Sequence, residues 1–391
     1  MAKCSGLLLS LLLLALLSVI SSAPVKVRFE GCRPEVSYMG RTWHCCPPLP
    51  KKPIREFKPD FDSSKPLRVR RALQCLDEEE AAVYKEKLEK AYTLLAALPK
   101  DDLRTMENQA ILHCAAGTSA LQNAGGLLNI HAGWLSKPWH RWFVYFHERI
   151  LQSVLGDPTF TLHYWNWDND GAAADVRSKA CSKAGNKFPA VYADPSSPLY
   201  RSRSWRASVS SLPVDLNLMR VKNPTAEDPQ LSDDVVLATN CKVMHDGMNP
   251  ATNEDFYGKP FRAGDNSMTF RGDESGSMEP AHASIHRWVH GDMYWVPISS
   301  TDPVFWAHHA NVERLWNSWE QMGPNRVPPE DSDFLDAEFL FYDENGDVVS
   351  VKVRDVLDTQ ALGYVDEEVE GASWTYSVDT SAQKIFPVTA Q

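Results

Sequence analysis

The chain has 391 residues, 43% hydrophobic and 23% charged, and its 40 basic against 51 acidic side chains give a formal net charge of −11. That composition supports a sizeable folded core, and 13 tryptophans argue against a disordered or low-complexity protein. An acidic chain repels phosphate backbones, which argues against nucleic acid as a partner.

Residues 1–23 read as a secretory leader. Lys3 supplies the positive start, Leu7 to Ile20 the apolar run, and Ser21, Ser22 and Ala23 the small residues of a cleavage site. The run is shorter than the roughly 20 residues of a spanning helix, and no second run of that length follows. No membrane attachment is therefore expected once the leader is removed. Export permits disulfides among Cys32, Cys45, Cys46, Cys75, Cys114, Cys181 and Cys241. Adjacent Cys45 and Cys46 must reach different partners, and the lack of a Cys-x-x-Cys pair weakens a zinc-site reading. Residues 24–66, rich in Pro, Lys and Cys, read as an extended arm tied down by disulfides.

A first helix is expected from Asp77 to Leu98, with an acidic first turn and Pro99 as its stop. A second starts near Asp101 or Asp102 and carries Met106, Ala110, Ile111 and His113 before Gly117. A third runs from Pro138 to Leu155 and ends at Asp157-Pro158. The stretch from about Gly171 to Arg271 lacks sustained periodicity and reads as loop. A short helix follows from Glu279 to Val289. A longer one is capped by Asp302, with Pro303 at its first position, and reaches about Gln321. Alternation over Phe339–Tyr342 and Val348–Val353, around Asn345-Gly346, predicts a β-hairpin. The simplest architecture is one helical core with irregular excursions.

The chemistry is carried by histidine. His113, His131 and His140 fall in the first helical region, and His282, His286 and His309 in the second. His282 and His286 are four apart and share a helix face. In the His308-His309 pair only one ring can face inward, so His308 is assigned an orienting hydrogen bond. Facing helices can bring such trios to one metal centre. A di-iron bundle would want a repeated Glu-x-x-His, but Glu279-x-x-His282 has no second copy; an all-imidazole set leans toward copper. His147, seven residues after His140, is the one rival ligand, and His44, His163, His245 and His290 have no partner at metal spacing.

At these residues the chain resembles the plant polyphenol oxidases (catechol oxidases and tyrosinases) of the type-3 copper proteins. The likeness rests on His131-Ala-Gly-Trp-Leu-Ser-Lys-Pro-Trp-His140-Arg-Trp-Phe-Val-Tyr-Phe-His147, and on Asp302-Pro-Val-Phe-Trp-Ala-His308-His309-Ala-Asn-Val-Glu313-Arg-Leu-Trp316. Cys45-Cys46-Pro47-Pro48 and Tyr164-Trp165-Asn166-Trp167-Asp168 add to it, over roughly residues 31–365. The resemblance implies a mainly α fold, a four-helix bundle housing a dicopper centre, with long loops and the small C-terminal hairpin. It implies a copper domain over residues 67–330, then the hairpin and tail over 331–391 without a shielding domain. It implies two copper ions, one on His113, His131 and His140 and one on His282, His286 and His309, and disulfides Cys32–Cys46 and Cys45–Cys114. The implied reaction is oxidation of o-diphenols to o-quinones by O2. Glu279 is the candidate acid that orients a water, and Trp295 or Val296 the candidate gate over the copper.

Several positions depart from the family pattern. Gly117 replaces the Cys whose thioether would tether His131, Ser136 and Lys137 put a charge near the pocket mouth, and Glu313 replaces Asp. Asp366 replaces the second Tyr of a Tyr-x-Tyr motif, and Ala283 after His282 cannot help hold a water. Catechols are therefore expected to be better substrates than monophenols. An O2-binding or phenol-coupling protein of low turnover and a zinc-dependent hydrolase are the alternatives. The secretory leader, in place of the plastid transit peptide typical of many members of the family it resembles, points to the vacuole or the apoplast.

Overall fold

The computed structural model describes residues 23–169, 186–220, 232–269 and 274–367. The expected leader up to residue 22, Cys181 and the tail after residue 367 lie outside them. Helix α1, Glu78–Ala96, begins with a full capping box, Asp77 accepting from the Glu80 N–H while the Glu80 carboxylate accepts from the Asp77 N–H. Helix α2, Met106–Gly117, starts later than expected. Thr105 caps it by accepting from the Asn108 N–H, whereas Asp102 bonds the Arg104 backbone and guanidinium in a turn of its own. Helix α3, Ser136–Leu155, ends on Gly156 at φ 64°.

The middle of the chain is not all loop. Helix α4, Asp233–Met248, is a correction to the sequence reading. Its buried positions Val236, Asn240 and Met244 follow one another at four-residue spacing, a stripe too narrow and too polar to register as amphipathic. Helix α5, Glu279–Val289, has Pro280 in its first turn. Helix α6, Val304–Gln321, is preceded by Asp302, whose carboxylate accepts from the Val304 N–H.

The arm is also more structured than expected. Strands β1, Glu35–Tyr38, and β2, Arg41–His44, form an antiparallel hairpin around Met39-Gly40, both at positive φ. Strand β3, Arg55–Glu56, adds in parallel to the C-terminal hairpin of β5, Glu338–Tyr342, and β6, Val348–Lys352. Strand β4, Arg68–Arg70, pairs in parallel with β7, Tyr364–Asp366. In the C-terminal hairpin, Gly346 takes φ 75° and the Asp343 carboxylate accepts from the N–H groups of Asn345 and Asp347.

Helix α3 is the centre of the core, buried almost continuously from Ser136 to Glu148. Phe143 meets Trp306 of α6 at 4.5 Å, and Phe146 stacks on Phe341 of β5 at 5.6 Å. A buried ion network lies beside it. Arg70 donates to Glu148 and Glu313 at 3.2 and 3.0 Å, and the Tyr364 hydroxyl donates to Glu313 at 2.6 Å. Asp366 accepts from Asn317 at 2.8 Å, so the residue standing in for the family's tyrosine joins the same network. Cys32 is bonded to Cys46 and Cys45 to Cys114, and Cys75 is also disulfide-bonded. No helix among the described residues is long and apolar enough to cross a membrane.

Candidate metal centre

Helices α2, α3, α5 and α6 and the loop before α3 bring the predicted histidines to one buried interior. His113, His131 and His140 form one group, and His282 and His286 with His308 and His309 a second; within each the potential ligand atoms lie within 4.8 Å of one another. The groups adjoin, with His140 stacked on His309 at 4.2 Å and His131 6.4 Å from His282, ring centre to ring centre. Burial drives His113, His140, His286 and His309 well below the ordinary imidazole pKa and His131 to about 4. The rings are therefore neutral, the form that binds metal.

The hydrogen bonds at Nδ1 decide where each ring keeps its lone pair. His113 donates Nδ1–H to the Val296 carbonyl at 2.9 Å, His140 to Ser136 at 2.7 Å and His286 to Met293 at 2.8 Å. His282 donates to the Glu279 carboxylate at 3.1 Å, and His131 faces the Asn129 amide oxygen at 3.3 Å. With the proton on Nδ1, Nε2 is an acceptor. Yet the Nε2 atoms of His113 and His140 face each other at 3.4 Å, and those of His282 and His286 at 3.2 Å. At His113 and His140, both neutral, two lone pairs that close repel unless a cation lies between them. His309 adds two buried nitrogens with no hydrogen-bond partner among the described residues. The donor set is all nitrogen, which suits copper.

The surroundings amend several expectations. Glu279, expected to orient a water, holds the His282 ring; burial opposes its ionisation, but His282, His131 and Lys137 draw its carboxyl below the ordinary range. Lys137 does not stand at a pocket mouth: it is 8% exposed and its Nζ donates to the Phe256 carbonyl at 2.6 Å. Burial lowers it to about 7, against the opposite pull of Glu279. His308 makes no orienting hydrogen bond among the described residues, because its ring stacks on His282 at 5.2 Å instead. His147 is occupied elsewhere, between Gln109 and Tyr92, and stacks on Trp306 at 3.6 Å.

Of the gate candidates, Val296 lies beside Gly117, whose added Cβ would sit 2.9 Å from Val296 Cγ1 and 2.8 Å from His131 Cε1. Trp295 turns instead toward Arg41 and Trp43. Sequence reasoning missed Asn129, two residues before His131 and close enough to be suspected, and Phe305. The Phe305 ring touches both groups, 5.2 Å from His113, 5.8 Å from His286 and 4.2 Å from His309.

Residues 103–322 match the model of the common central domain of tyrosinase, and residues 329–378 that of the polyphenol oxidase middle domain. The chain belongs to the tyrosinase family. These are copper oxidoreductases, and the two histidine groups could hold a copper pair. Membership sets aside the zinc-hydrolase alternative. The chain is 38% identical to a chloroplastic polyphenol oxidase of Malus domestica over 84% of its own length and 52% of the relative's. It is also 38% identical to aureusidin synthase of Antirrhinum majus, over 84% and 56%. It thus spans about half the length of the curated relatives it matches. The crystal structure of Grenache (Vitis vinifera) polyphenol oxidase superposes with a TM-score of 0.77 at 34% identity, covering 90% of this chain and 99% of that one.

Proposed function

We propose that this tyrosinase-family chain oxidises o-diphenols to o-quinones with O2, with weaker action on monophenols. His113, His131 and His140 hold one copper ion, and His282, His286 and His309 the other. The observation that carries this reading is the pair of facing Nε2 atoms in each trio. His309 is preferred to His308 because its ring also meets His140 of the other trio.

Bound copper supplies the two-electron exchange between a catechol and O2. The chain supplies the rest. The Val296, Ser136 and Met293 carbonyls and the Glu279 carboxylate fix four rings with Nε2 inward. Phe305 and the surrounding aromatic side chains exclude water from between the trios. Ala283, half-buried beside His282, offers no polar atom to hold a proton-accepting water for a monophenol.

The test is metal analysis with oxygen uptake on a catechol and its matched monophenol. Two copper ions per chain and faster catechol turnover are expected. Equal initial rates would overturn the ranking, and reversible O2 binding without quinone would favour the carrier alternative. The Malus relative is named chloroplastic. The leader of this chain reads as secretory, and we place the mature protein in the vacuole or apoplast; a fluorescent fusion found in plastids would refute that.

A further inference from the structure

The structure assigns Trp295 as a positioning residue for both histidine trios, held in place by the hairpin of β1 and β2. This rests on the reading that those rings hold copper.

Trp295 lies in a short segment that touches both trios at once. Two residues before it, the Met293 carbonyl accepts from His286; one residue after it, the Val296 carbonyl accepts from His113. One ring of each trio is thus oriented by the same four-residue stretch. Its backbone is pinned by Trp295 N–H donating to Asp292 O and Ile298 N–H donating to Trp295 O. Its side chain is gripped from the arm. The Arg41 guanidinium lies 4.2 Å over the indole and Trp43 packs at 5.9 Å, with the Trp43 Nε1–H donating to Tyr38 O across the hairpin.

The grip is rigid because the hairpin is stapled at its base. Cys32–Cys46 closes it, and Cys45–Cys114 fixes it to α2 at the residue after His113. The path from disulfide to hairpin, indole, carbonyls and rings is continuous. Without the indole the two carbonyls lose their fixed places, and His113 and His286 are free to carry the proton on Nε2. A proton there points at the metal position and opposes binding.

The test compares full-length wild type, Trp295→Ala and Trp295→Phe, each metal-free and copper-loaded. With 15N-labelled histidine, long-range proton–nitrogen correlations report which ring nitrogen carries the proton. We expect Nδ1–H at His113 and His286 in the wild type, mixed tautomers in Trp295→Ala and recovery in Trp295→Phe. Copper loss to a chelator should be about tenfold faster in Trp295→Ala, for both ions. Arg41→Ala, at an exposed site that tolerates change, should shift both readouts the same way by less. Unchanged tautomers and copper retention in Trp295→Ala, with only thermal stability lowered, would overturn the assignment. A wild type that shows the Nδ1–H tautomers but binds no copper would overturn the proposed function and leave the positioning role standing.

Discussion

The second trio takes His282 and His286 from neighbouring turns of α5 and His309 from α6, whereas the first draws His113 from α2, His131 from a loop and His140 from α3. Helical spacing puts His282 and His286 on one face, and the Glu279 carboxylate and the Met293 carbonyl orient their rings. In the first, His131 depends on the Asn129 side chain, which accepts its backbone N–H at 2.9 Å and faces its Nδ1, and on the space left by Gly117. The lesson is that a helix-borne pair is positioned by backbone hydrogen bonds, and a loop-borne ring only by its neighbours. The first half of the site should be the softer one.

Removing a ring gives the largest effect. His113→Ala and His286→Ala should each leave one copper per chain and bring catechol oxidation to background, by metal analysis and oxygen uptake. His308→Ala should keep both ions. Loss of an ion in His308→Ala but not in His309→Ala would reverse the choice between them.

Both trios border one buried ion network, because Glu313 sits on α6 one turn beyond His309 and Arg141 and Glu148 sit on α3 with His140. Burial pushes the Glu313 carboxyl up to about 7 against the pull of Arg70 and Arg141. Arg70→Ala would take from the buried Glu148 and Glu313 the cation they share and should cost about 3–5 kcal/mol in denaturant unfolding. A small loss there would show that the network does not depend on Arg70.

Gly117→Ala sharpens the contrast directly. Its Cβ would press on His131 Cε1, so the first copper should leave roughly 10–100-fold more readily while the second stays. Chelator competition with metal counting reads this, and simultaneous loss of both ions would mean that the trios do not act separately.

A pH effect outside both trios serves as the reference. His163 is held at about 4, against an ordinary 6.5, first by burial and then by Arg71, and its Nδ1 accepts the Arg71 N–H. A depressed folded pKa makes the folded state the poorer proton binder, so stability should fall as pH drops from 6.5 toward 4. His163→Gln should flatten the thermal-unfolding profile over that window without altering copper content.

Much of this was legible in the sequence because it is local. Asp77 and Glu80 announce α1, and the four-residue spacing of His282 and His286 announces a shared face. The arm's hairpin was not legible: its turn is Met39-Gly40, and Met39 adopts positive φ without being one of the residues that advertise it. Helix α4 hid behind polar positions on its buried stripe, Asn240 among them, which bonds the backbone of Val214 and Leu216. The partners that orient His113, His140 and His286 are backbone carbonyls, and a carbonyl leaves no mark in the choice of residue.

Phe305 has a further consequence. The spacer wedged between the trios is a hydrocarbon ring with no proton to gain or lose. A gap set by bridging carboxylates would widen or narrow with acidity; one set by a phenyl group keeps its width from acid to neutral conditions.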